Sequence, residues 1–66
     1  MTDKKLAPEM VDRLRAEIEI SQKWIEAVER ARANGSTAGI NDYIETKSRG
    51  RIELNTAILQ SEGIAV

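Results

Sequence analysis

PEMVDRLRAEIEISQKWIEAVERARA, residues 8–33, is the stretch whose spacing decides the fold. Val11, Leu14, Ile18, Ser21, Ile25 and Val28 recur in alternating three- and four-residue steps, which lines them along one side of an α-helix of about seven turns. A second row, Ala16, Ile20, Trp24, Ala27 and Ala31, keeps helical spacing too. At ~100° per residue it lies roughly a third of a turn or more from the first. Two rows make an apolar surface wider than the stripe by which a surface helix usually packs. One neighbouring helix covers one row. The second row is expected to need another surface.

The ends of this segment are marked as well. Pro8 suits a first helical residue, because the N–H it lacks would have had no partner there. Asn34-Gly35 supplies the stop, since glycine takes the left-handed position after a helix without a Cβ clash. On the polar side Glu9 and Arg13, Glu19 and Lys23, and Glu26 and Arg30 stand four apart with the acid first. That orientation predicts a solvated face with ion pairs worth ~0.2–0.5 kcal/mol each.

Outward from the long helix, residues 34–39 (Asn-Gly-Ser-Thr-Ala-Gly) read as a connector. Ser36, Thr37 or Asn41 is expected to cap a second helix of about residues 40–62. Its apolar residues Ile40, Tyr43, Ile44, Leu54, Ala57 and Ile58 share one sector, which is expected to face the first helix, with Ile52 and Leu59 on one flank. Gly50 costs ~1 kcal/mol against alanine in a helix interior, so the expectation is a continuous or gently kinked helix. At its end Gly63, followed by Ile64 against Leu59, predicts a Schellman motif. Met1–Ala7 reads as a polar start with Leu6 folding back, and Ala65-Val66 as a trailing end. The fold expected is all-α: residues 1–66 as one antiparallel two-helix hairpin, dimerising into a four-helix bundle.

Length and composition press in the same direction. A chain of 66 residues offers one small core, which at this size barely offsets ordering entropy without a staple. The sequence has no cysteine and no histidine, so neither a disulfide nor a zinc site of the usual ligands is expected. Self-association, a dimer in the first instance, or docking on a partner is the remaining remedy. The same two absences remove the commonest general base and thiol nucleophile, so no catalytic, metal or cofactor-binding residue is assigned and an enzyme is not expected. A formal net charge of −1 offers no global field for nucleic acid. No apolar run approaches the ~20 residues that span a bilayer, and no apolar segment follows the polar start, so a cytoplasmic protein is expected.

One polar constellation stands out. Folding back about Gly35 brings Glu17 and Ser21 towards Arg51, and Trp24 towards Lys47. Three readings follow: a partly buried polar layer that fixes register, cations laying their stems on Trp24, or an anion-binding patch of Lys47, Arg49 and Arg51. The leading functional expectation is a non-enzymatic protein-binding module, an adaptor or inhibitor of a larger protein, with Ala16, Ile20, Trp24, Ala27 and Ala31 as the interface. The alternatives are an RNA- or DNA-binding bundle that uses the Lys47/Arg49/Arg51 patch, and a small structural subunit of a larger assembly.

Overall fold

The computed structural model of the chain describes residues 6–65, so most of the polar start and Val66 lie outside the described residues. Two helices, α1 (Pro8–Ala33) and α2 (Ile40–Ser61), pack against each other. They run antiparallel: Asn55 near the end of α2 meets Leu14 near the start of α1, and Asp42 meets Arg32 at the other end. Pro8 opens α1 with Ala7 in extended conformation before it, and no side chain caps that end.

Both helices close with the same device. After α1, Ser36 N–H donates to Ala31 O at 2.9 Å and Gly35 N–H to Arg32 O at 2.9 Å, with Gly35 at φ +93°. After α2, Ile64 N–H donates to Leu59 O and Gly63 N–H to Gln60 O, each at 2.9 Å, with Gly63 at φ +75°. These are Schellman pairs, and they satisfy carbonyls that a helix end leaves open. The second brings Ile64 back onto the core. The expected side-chain cap of α2 is absent. Gly39, already helical, precedes Ile40, while Ser36 Oγ accepts instead from Asn41 Nδ2 at 3.0 Å and ties the connector to the first turn.

Row one of α1 is the seam of the hairpin: Leu14, Ile18, Ser21 and Val28 are buried, with Val11 and Ile25 partly so. The expected partner sector on α2 is corrected. The residues turned to α1 are Asn41, Glu45, Ser48, Ile52, Asn55, Leu59 and Glu62, a row of alternating four- and three-residue steps. Against the expectation α2 is rotated by about a third of a turn, so Ile40, Tyr43 and Leu54 point away from α1 and stay exposed. Small polar side chains line that row: Asn41, Ser48 and Asn55 are buried along the seam, Asn55 against Leu14, Ser48 beside Ser21 and Asn41 against Ser36. The apolar core is correspondingly short, with Leu14, Ile18 and Leu59 surrounded by Leu6, Val11, Ile52, Ile58 and Ile64.

α2 is continuous through Gly50. A Cβ added there would meet nothing within 4 Å, so no neighbour in this chain requires glycine at that point. The radius of gyration is 14.9 Å, against about 11 Å for a compact domain of this length. A rod of two helices has no third layer. One side of each helix therefore has nothing to pack on among the described residues.

Candidate partner-binding surface

Helical spacing builds this surface from both rods. On α1, Ile20 and Trp24 stand one turn apart and between a quarter and a third of a turn from the seam row. On α2, Ile40, Ile44, Lys47, Arg51, Leu54 and Ile58 follow alternating four- and three-residue steps. The two sets lie on the same side of the hairpin. Trp24 shares a shallow depression with Tyr43, Ile44, Lys47 and Ser48, while Ile20 shares one with Glu17, Ser21 and Arg51. Leu54 continues the surface beside Lys47 and Arg51.

Its apolar residues are wet. Ile20 is 54% exposed, Trp24 53%, Tyr43 59% and Leu54 53%. Of the row assigned to an interface from the sequence, Ala16 is also exposed, and Ala27 and Ala31 are half-buried. The sequence reading missed the larger half of this surface, because it turned the apolar sector of α2 inward. Its signal was present all along in the spacing of Ile40, Ile44, Leu54 and Ile58.

Polar groups cross the middle of the surface. Arg51 Nη1 lies 3.6 Å from Glu17 Oε1, and Arg13 Nε lies 4.0 Å from Glu17 Oε2. Asn55, 1% exposed, donates from Nδ2 to Leu14 O at 3.1 Å and to Glu17 Oε1 at 2.9 Å. Glu17 is thus held by two cations and a buried amide. Asn55 Oδ1 is left buried without a partner. Ser21 lines the same depression, and Lys47 Nζ sits over the Tyr43 ring at 5.7 Å from its centroid.

Arg49 does not join them. Two residues from both Lys47 and Arg51, it points about 200° round the helix, to the opposite side of the hairpin. There Arg32 Nη2 donates to Asp42 Oδ1 at 2.6 Å and Nη1 to Glu45 Oε1 at 2.8 Å, while Arg49 Nη2 donates to Glu45 Oε2 at 2.9 Å. The expected three-residue anion patch is therefore divided between two faces. Hydrogen bonds from Arg32 and then Arg49 hold the Glu45 carboxyl below its ordinary range, and the bond to Glu45 raises Arg32. The expected pairs Glu9–Arg13, Glu19–Lys23 and Glu26–Arg30 do not close within 4.0 Å among the described residues; Arg13 turns to Glu17 instead.

Among the described residues no three His, Cys, Asp or Glu side chains gather as a metal site would need, and no helix is long and apolar enough to cross a membrane. What the arrangement offers is contact: an apolar strip about a central ion pair, flanked by one uncommitted lysine. Scans of protein-family models, of curated proteins and of solved structures find no match to this chain.

Proposed function

We propose that the chain is a non-enzymatic protein-binding module that acts as a self-associating helical hairpin, serving a larger protein as adaptor or inhibitor. In this reading two hairpins close their tryptophan faces on each other as a four-helix bundle, and the outer helix surfaces of that bundle meet the larger protein. The observation that carries it is the exposure of Ile20, Trp24, Tyr43 and Leu54 together on one side of a 66-residue chain with a short core. A contiguous apolar face rimmed by polar residues marks an interaction surface rather than ordinary scatter. The shallow, solvent-open depressions favour a docking surface over a catalytic cleft.

The nucleic-acid reading loses ground here, because Arg49 is committed to Glu45 on the other face. The test is light scattering on the purified chain and on Trp24→Glu. A dimer for the parent, and a monomer that keeps its helical circular dichroism for the variant, is the expected result. A parent that stays monomeric at ~100 µM would sink self-association. Capture of one defined protein from host extract by the parent, lost with Trp24→Glu, tests the larger partner separately.

A further inference from the structure

We propose that the occupant of the tryptophan face is a second copy bound with its connector at the same end, so that α1 of each hairpin lies on α2 of the other. This deepens the self-association reading and rests on it. The dimensions fit a pair of hairpins. α2 is about 33 Å long at 1.5 Å per residue, and two helices side by side are about 20 Å wide. The face is then about 650 Å² in plan, near the ~800 Å² each partner contributes to a standard interface.

Charge chooses between the two symmetric ways of closing it. A two-fold axis in the interface runs either along the rods or across them. Within one hairpin Glu17 is level with Arg51, and Trp24 with Lys47. With the axis along the rods these levels are kept, and each helix faces the opposite kind. Glu17, Arg51, Glu17 of the second copy and Arg51 of the second copy then form one ring of alternating sign. One level along, each Trp24 ring receives the Lys47 ammonium of the second copy, a favourable cation–π contact.

With the axis across the rods α2 lies on α2, reversed about its midpoint between Gly50 and Arg51. Arg51 then meets its own copy, and both Lys47 side chains follow within a turn. All four cations crowd into about 11 Å of rod, and each Glu17, level with Arg51, meets Glu17 of the second copy. Like charges facing each other across an interface are the repulsive element that excludes a wrong arrangement. A polar layer in an otherwise apolar bundle is also the device best attested for fixing orientation and partner number.

The sequence has no cysteine, so a single introduced thiol reports cleanly. Thr37→Cys in the exposed connector and Gln60→Cys at the far end are each spin-labelled, and the label-to-label distance in the dimer is measured by pulsed electron resonance. Both pairs are expected below about 30 Å, as neighbouring helix ends 8–10 Å apart allow, and both signals are expected to vanish with Trp24→Glu. A distance of about 40 Å or more at Thr37, twice the height of the connector above the midpoint of α2, would overturn the arrangement while leaving the dimer standing. A monomer by light scattering would overturn both.

Discussion

The hairpin has two broad faces, and they handle their side chains in opposite ways. On one, Arg32, Asp42, Glu45 and Arg49 have closed a chain of hydrogen-bonded ion pairs linking α1 to α2. Nothing there asks for a partner. On the other, Ile20, Trp24, Tyr43 and Leu54 are about half in water, and Lys47 has only an aromatic ring beneath it. The contrast teaches that exposure alone does not mark a face as unpartnered. What marks it so is whether the side chains on it have been satisfied from within the chain.

The seam between the faces is where both can be broken at once. Leu59 is fully buried and central to a core of few apolar residues. Leu59→Ala is expected to cost about 2–5 kcal/mol, the range for deleting a buried leucine side chain. In a chain this small that removes most of the stability of the hairpin. Urea unfolding followed by circular dichroism measures it, and a loss under about 1 kcal/mol would mean that the seam drawn here is not the one in solution.

Next in size is Asn55, which stands between the seam and the tryptophan face. Asn55→Ala strips the donor from Leu14 O and Glu17 and leaves a small cavity, a loss of about 1–3 kcal/mol. Asn55→Leu is expected to behave differently. It removes the unpaired buried Oδ1 and adds apolar contact, so it should be close to neutral in stability. The same variant should loosen orientation, read as a broader distribution of label distances in the dimer. If Asn55→Leu destabilises as much as Asn55→Ala, the amide is holding the fold together and not selecting among packings.

The rotation of α2 shows where the sequence stopped being informative. The ends of α1 and the turn at Gly63 were legible because proline and left-handed glycine act locally, whatever packs on them. Row one of α1 was legible because its branched aliphatic side chains Val11, Leu14, Ile18, Ile25 and Val28 recur at helical spacing, whereas the second row is mostly alanine. α2 carries two rows, one apolar (Ile40, Ile44, Leu54, Ile58) and one polar (Asn41, Ser48, Asn55) with Ile52 and Leu59. Periodicity nominates the greasier one for the core. It holds no information on whether a second chain competes for that row, nor that Asn55 can reach Leu14 O only from the polar side. For the same reason the Glu17–Arg51 contact was legible from hairpin register, whereas Asn55 beside it was not.

Smaller still is the effect expected on the tryptophan face of a lone hairpin. Leu54→Ser removes a side chain that is 53% exposed, so the stability of the dilute monomer should move by no more than about 0.5 kcal/mol. Dimer formation should weaken at least tenfold, read by sedimentation across a concentration series. Equal losses in both measurements would place Leu54 in the monomer's own core and undo the distinction between the faces.

The smallest effect belongs to the ion-pair face, and acid is the way to see it. Two guanidinium groups hold the Glu45 carboxyl below its ordinary range in the folded chain. The unfolded chain lacks them, so it binds the proton at higher pH than the folded chain does. Stability from this group is therefore complete above the ordinary carboxylate range and drains away as pH falls through the lowered folded value. Melting temperature at low ionic strength should fall with acidification in the parent, and Glu45→Gln should flatten part of that slope while barely changing the dimer. Raising salt should shrink the difference between the two proteins, because these side chains are close to water. Lys47→Gln offers the contrast on the other face: with no carboxylate bound to it among the described residues, it should leave the acid slope of the monomer alone and act on the dimer. An acid slope that survives in Glu45→Gln but is lost in Lys47→Gln would mean that the roles of the two faces have been exchanged.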